Sequence, residues 1–162
     1  VKEGAHLVEM GGIMVVDEPA TMSILGLGSC LGIFLFEEKR KIGALAHAML
    51  PRASGERMEE CPGKYVRSAV AAMAARIEEA GGKREHIRAR LAGGAHMFQF
   101  DSQKERSTIG DKNVEAAIEI LEELGIELAG RDTGGQQGRS IFADTATGRM
   151  EVHTIRGGRR SV

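Results

Sequence analysis

The chain has 162 residues and a formal net charge of −1, from 22 basic and 23 acidic side chains, with no tryptophan and one tyrosine, Tyr65. The length suits one domain with its own core, while the charge balance removes any bulk electrostatic case for nucleic acid or an anionic membrane surface. No apolar run approaches the length of a membrane span and no signal peptide is visible, so the expectation is a cytoplasmic protein that does not insert in a membrane.

In chain order, residues Gly12 to Val16 form a short apolar run and predict a strand. Asp17 to Met22, with Pro19 inside, predicts a loop. Leu31 to Phe36 and Ile42 to Ala48 are apolar runs around the charged stretch Glu37-Glu38-Lys39-Arg40-Lys41, which reads as a β-hairpin. Arg52 to Gly63 is polar and predicts a loop close behind His47. Lys64 to Ala80 repeats Val66, Ala69, Val70, Met73, Ile77 and Ala80 at helical spacing, with Gly81-Gly82 as its stop. Ile87 to Ala92 alternates apolar residues with Arg88 and Arg90, as a half-buried strand should.

Phe98 to Ser107 reads as a loop, and Asp111 to Leu124 as a second helix. Its apolar stripe is Val114, Ala117, Ile118, Leu121 and Leu124, its outer face is acidic, and Gly125 stands where a C-terminal glycine belongs. Ile126 to Ala129, Ser140 to Ala143 and Arg149 to Ile155 predict strands, with Asp144 to Gly148 as the turn between the last two. Gly157 to Val162 reads as a short, frayed basic tail. No repeat or linker interrupts the chain. Strands outnumber helices and are partly hairpin-linked, which makes the fold class α+β.

Chemistry concentrates in the glycine-rich run Gly26-Leu27-Gly28-Ser29-Cys30 and in Ala46-His47-Ala48 beyond it. A thiol and an imidazole are the minimum set for a cysteine nucleophile. A hairpin turning between Glu38 and Lys39 sets Phe36 opposite Lys41, Phe34 opposite Gly43, Gly32 opposite Leu45 and Cys30 opposite His47. Opposed side chains have Cβ atoms roughly 4.5–5.5 Å apart, and a one-residue slip would part them to opposite faces. Gly26 and Gly28 leave room for close approach, and the backbone N–H groups around Ser29, Cys30 and Leu31 are candidate oxyanion donors. The competing reading makes Cys30 a small buried residue and His47 a hydrogen-bonded core histidine.

Other motifs carry less. Gly26-x-Gly28 is followed by a strand-like run, with Leu31 where a dinucleotide loop needs glycine. Asp132-Thr133-Gly134 lacks the second carboxylate of an aspartic protease and reads as a turn with Gly134-Gly135 facing the site. Cys30 and Cys61 are expected to be free thiols, with Cys61 incidental, and no histidine or cysteine spacing suggests a metal.

Several ordered blocks resemble the CheD family of chemoreceptor glutamine deamidases. They are Leu25-Gly26-Leu27-Gly28-Ser29-Cys30, Ala46-His47-Ala48-Met49-Leu50-Pro51, Pro62-Gly63-Lys64-Tyr65, Gly93-Gly94-Ala95 with Met97-Phe98, Ile109-Gly110 with Asn113-Val114, and Asp132-Thr133-Gly134-Gly135 with Gly138-Arg139. Together they span Leu25 to Val152. The resemblance implies two packed β-sheets flanked by helices, like the cysteine-hydrolase domain of deamidating toxins, with residues 1–162 as a single deamidase domain. It implies hydrolysis of glutamine amides on the cytoplasmic helices of methyl-accepting chemotaxis receptors, with Cys30 as nucleophile and His47 as general base and acid. No cofactor is implied. The implied partners are the receptors and a CheC-type phosphatase, and a catalytically weak module that regulates the phosphatase is the alternative. One departure stands out: Ile24 occupies the position where the family pattern has a threonine that helps orient the histidine. Ser23 beside it would point to the other face of a strand.

Overall fold

The computed structural model describes residues 4–54, 60–97 and 108–162. In chain order these form β1 (His6–Leu7), β2 (Ile13–Val16), β3 (Thr21–Leu27), β4 (Leu31–Glu37), β5 (Ile42–Ala48), α1 (Val66–Glu79), β6 (Ile87–Gly93), α2 (Ile109–Leu124), β7 (Glu127–Thr133), β8 (Arg139–Asp144), β9 (Arg149–Thr154) and β10 (Gly158–Ser161). The loop expected over Phe98 to Ser107 lies outside the described residues, as does part of the loop expected over Arg52 to Gly63.

The strands sort into two five-stranded mixed sheets, ordered β1-β3-β8-β9-β10 and β2-β5-β4-β6-β7. Pairing is antiparallel except for β1 with β3 and β6 with β7. With two helices beside them, the fold is α+β.

β4 and β5 are buried along their whole length because both of their faces are covered. Leu31, Ile33, Leu35, Ala44, Ala46 and Ala48 meet Val66, Val70, Met73 and Ile77 of α1 and Ala117 and Leu121 of α2. The alternate residues Phe34, Phe36 and Leu45 meet Met22, Ile24 and Leu27 of β3 and Ile141 and Ala143 of β8. The layers are therefore helices, sheet, sheet, with both helices on one side. Each of the large apolar side chains buried this way contributes roughly 1.5–3 kcal/mol relative to exposure.

The register of the β4–β5 hairpin corrects the sequence reading. Phe36 faces Gly43, Phe34 faces Leu45, and Gly32, not Cys30, faces His47. The cause is in the turn. The buried Glu37 carboxylate accepts from the backbone N–H of Lys39 at 2.6 Å and of Arg40 at 3.3 Å. Lys41 takes a left-handed φ of 55°. The loop is thus four residues, 38–41, and every pair shifts by two.

Three other expectations change. The basic tail is not frayed: residues Gly158–Ser161 pair antiparallel with β9, whose free edge offers main-chain partners regardless of side chain. β3 begins inside the loop expected over Asp17 to Met22 and ends at Leu27, within the glycine-rich segment, where Gly26 at φ 69° marks an irregularity in its pairing with β8. In α2, a Thr108–Asp111 capping box starts the helix earlier than Asp111. Its buried stripe is Gly110, Asn113, Ala116, Ala117, Ile120 and Leu121, rotated from the expected one. Gly110 permits this, since a Cβ there would meet the carbonyl oxygens of Gly94 at 2.5 Å and Ala95 at 2.7 Å. On the outer side Glu123 pairs with Arg67 of α1 at 2.7 Å.

Candidate active site

His47 is 6 % exposed and lies on the same face of β5 as Leu45, turned toward the inter-sheet layer. Its main chain is held on the other edge, donating to the Gly12 carbonyl at 3.1 Å and accepting from the Gly11 N–H at 2.8 Å. Across β4, Gly32 faces it with no side chain. A Cβ on Gly32 would meet Ile141 Cδ1 at 2.6 Å, Leu27 Cδ1 at 3.1 Å and Ile24 Cδ1 at 3.4 Å.

Cys30 lies two residues before Gly32, half-buried and packed against the same inter-sheet cluster. A two-residue shift of register preserves the face, so thiol and imidazole share a side of the sheet as diagonal neighbours, a relation that spans about 7–8 Å between backbones. Ile24 is fully buried in that cluster. Ser23 points the other way, its hydroxyl near the His6 carbonyl at 3.5 Å.

The loop that carries Cys30 is held by its carbonyl groups. Gly28 O accepts from the Ala95 N–H, Ser29 O from the Asn113 side-chain amide, and Cys30 O from the Gly94 N–H, each at 2.9 Å. In a planar trans peptide the following N–H points opposite to the carbonyl. The N–H groups of Ser29 and Cys30 are therefore turned away from this set of donors, whereas the Leu31 N–H, expected as a third oxyanion donor, points into the ladder with Ala48 and is taken up there. Gly93 allows the approach: it has φ 110°, and a Cβ there would collide with the Cys30 carbonyl oxygen. The Leu31 side chain itself points to the helix layer. Gly28 is open for a different reason, since a Cβ would sit 3.1 Å from Met97 Cγ.

Gly134 and Gly135 join from β7. The Gly134 N–H donates to Gly93 O at 3.0 Å and Gly135 O accepts from the His96 N–H at 2.8 Å, both glycines having positive φ. This brings their loop against the segment that holds Cys30. Arg139, 6 % exposed, fixes the loop by donating to the Asp132 carboxylate and carbonyl, each at 2.6 Å, and to the carbonyls of Gly134 and Gln137. The hydrogen bond from Arg160, with Arg139 beside it, keeps the Asp132 carboxyl below the ordinary carboxylate range in spite of partial burial. A cavity of about 430 Å³ opens beside this loop, lined by Gln136, Gln137, Arg156 and Arg160 among others.

The electrostatics favour neutral forms. Burial pushes the Cys30 thiol up, and its own backbone N–H opposes that. Burial pulls the His47 imidazole down, and the Val8 backbone opposes that. The Val8 N–H already donates to Ser23 O at 2.8 Å, so its carbonyl is the group that favours the imidazolium. Both directions favour a neutral thiol beside a neutral imidazole over a preformed thiolate–imidazolium pair. Nδ1 of His47 is buried without a hydrogen-bond partner among the described residues.

Cys30 and Cys61 are both free thiols. Cys61 is exposed, 3.8 Å from the Gly11 carbonyl, so the end of the 52–63 loop borders the segment that pins His47. Asn113 and Arg139 carry geometry that residue-level reading did not assign. Both stand within the matched blocks, and Asn113 is a polar residue on an otherwise apolar helix stripe.

Comparison with known proteins supports the resemblance. The family model described as CheD chemotactic sensory transduction matches residues 49–154, beyond both Cys30 and His47. A chemoreceptor glutamine deamidase CheD of Halalkalibacterium halodurans is 37% identical over 156 residues, 96% of each chain. One of Thermotoga maritima, of the same name, is 36% identical over 152 residues, 94% of this chain and 93% of that one. Among solved structures, the hypothetical protein YfiH of Bacillus licheniformis overlays with a TM-score of 0.48 at 14% identity, covering 76% of this chain and 49% of that one. The relatives align over nearly the whole length, including the segments that bear Cys30 and His47: the chain belongs to the CheD family.

Proposed function

We propose that this protein hydrolyses glutamine side-chain amides on chemoreceptors, with Cys30 as nucleophile and His47 as general base and then general acid. The observation that carries the reading is the placement of Cys30 and His47 on one face of the sheet, in a family whose relatives bear the name chemoreceptor glutamine deamidase. The reading takes residues 1–162 as one deamidase domain acting in the cytoplasm.

Neutral His47 accepts the thiol proton as sulfur bonds to the amide carbon, so attack and deprotonation are coupled. The carbonyl oxygen takes the negative charge and faces the N–H groups of Ser29 and Cys30. The C–N bond breaks, nitrogen takes the proton from His47, and ammonia leaves a thioester. Water then gives a proton to His47 and bonds to the same carbon. The second tetrahedral intermediate breaks its C–S bond, the sulfur recovers the proton, and glutamate is released. Gly28, Gly134 and Gly135 border the approach to the sulfur.

Incubation with receptor fragments, read by mass spectrometry as conversion of glutamine to glutamate, tests the proposal. Cys30→Ala is expected to abolish conversion, and wild-type conversion by that variant would refute the mechanism. A second reading rests on Ile24, which offers His47 no hydroxyl: a weak deamidase whose main role is docking on a CheC-type phosphatase. A pull-down with phosphatase assays separates the two, and no complex at high concentration counts against the second.

A further inference from the structure

We infer that Asn113 is a positioning residue that aims the Cys30 backbone N–H at the oxyanion of the reaction. This rests on the reading of Cys30 as nucleophile and adds a residue that does not touch the substrate.

Asn113 lies on α2, far in sequence from both loops it joins, and is fully buried. Its side-chain amide donates to Ser29 O at 2.9 Å and to Met49 O at 3.1 Å. One acceptor belongs to the residue before Cys30, and the other lies two residues after His47. A single NH2 group therefore joins the nucleophile loop to the histidine strand. Orientation of the amide is unambiguous, because an amide oxygen in the same place would face two carbonyl oxygens.

The consequence follows from the peptide plane. Ser29 C=O and Cys30 N–H belong to the same trans peptide and point in opposite directions. Holding the carbonyl toward α2 directs the N–H away from it. That N–H is also the group that favours the thiolate of Cys30, opposing burial, so it points to the side where the sulfur lies. The flanking carbonyls, Gly28 O and Cys30 O, are held by backbone donors of Ala95 and Gly94, which any sequence would supply. Of the three grips on this loop, only the central one depends on a side chain, and it controls the peptide nearest the reacting atom. Gly94 and Gly110 bring the helix close enough for the reach, a Cβ on Gly94 meeting Val114 Cγ2 at 2.7 Å and the Gly110 carbonyl at 2.9 Å.

The test uses the full chain with a receptor fragment and measures kcat, KM and the rate of Cys30 alkylation by iodoacetamide. Asn113→Ala is expected to lower kcat by roughly 100-fold or more, the scale of losing one oxyanion donor, with KM within about three-fold and slower alkylation at fixed pH. Asn113→Ser, which keeps one short donor, should fall between that variant and wild type. Val114→Ala is the control, since it loosens the same helix contact without touching the amide, and its kcat should stay near wild type. A folded Asn113→Ala protein with kcat within three-fold of wild type would overturn the inference, as would equal losses in Asn113→Ala and Val114→Ala. Failure of both Asn113 variants to fold would assign the residue to the core and overturn it as well. An active Cys30→Ala protein would instead remove the nucleophile reading beneath it.

Discussion

The Glu37 carboxylate holds the backbone N–H of Lys39 at 2.6 Å, and this contact sets which residue stands opposite His47. It draws the turn into a four-residue loop and moves Gly32, rather than Cys30, across from the histidine. The side chain is 1 % exposed, so its carboxylate is satisfied chiefly by these amides, with His86 Nδ1 3.8 Å away.

Glu37→Ala should therefore destabilise the fold. A hydrogen bond to a charged acceptor is worth about 1.5–3 kcal/mol, and the variant loses the carboxylate that caps the turn. Urea unfolding followed by circular dichroism measures it. A variant as stable as wild type would show that the loop length is set by the strands alone.

Gly93→Ala should act on the site more than on the fold. Its φ of 110° suits glycine, and an added methyl group would land on the Cys30 carbonyl oxygen. Strain and overpacking together cost about 2–5 kcal/mol. Relief requires the Cys30 peptide to move, so deamidation should fall by a larger factor than the folded population does. Thermal melts beside single-turnover assays on the same sample compare the two. Activity that tracks the folded fraction would mean that the loop adapts without moving the sulfur.

These effects separate what could be read from residue types from what could not. The helix of Val66, Val70, Met73 and Ile77 and the two runs of the hairpin were legible because periodicity records burial directly. Cys30 and His47 stood out because few residue types can supply a nucleophile and a base, and the fold turns both toward the inter-sheet layer. The register was not, because it depends on a carboxylate reaching two amides of its own turn, and nothing in the pattern of apolar residues encodes that reach. Asn113 was not, because its role exists only once α2 lies against Gly94 and brings an amide to two distant carbonyls. The tail 157–162 looked frayed from its arginines, yet strand addition at an edge asks only for main-chain groups.

Acid should weaken both stability and activity through His47. Its folded pKa lies below the ordinary value near 6.5, because burial disfavours the cation. The unfolded chain then binds the proton more readily than the native one. The contribution of His47 is present in full above about pH 6.5 and is lost as pH falls through the folded value. The proposed mechanism uses the neutral imidazole as base, so the acid limb of kcat/KM should have its midpoint below 6.5. Cys30 has the opposite sign: burial raises its folded pKa, so its contribution holds below the ordinary thiol value and is lost as pH rises through the raised one. An acid-limb midpoint at or above 6.5 would contradict the assignment of His47 as the base in this environment.

Ile24→Thr tests what holds the histidine. The Ile24 side chain reaches the space over Gly32, directly across from His47, and Nδ1 of His47 is buried without a partner among the described residues. Threonine carries its hydroxyl at the γ position, one bond short of the Ile24 Cδ1 but on the same face, and a hydrogen bond from it to Nδ1 would fix the ring against the inter-sheet layer. Trimming the methyl group costs about 0.5–1.5 kcal/mol, and the buried hydroxyl costs about 1–3 kcal/mol more unless it finds a partner. A hydrogen bond to the imidazole would offset about 1 kcal/mol of it. The melting temperature should therefore fall only slightly, while kcat rises several-fold because the ring spends more time in the productive orientation. The histidine ring resonances, followed through a pH titration in wild type and variant, report the new hydrogen bond independently of turnover. If kcat is unchanged and the ring resonances do not move, the Val8 carbonyl already orients His47 and the missing hydroxyl costs this chain nothing.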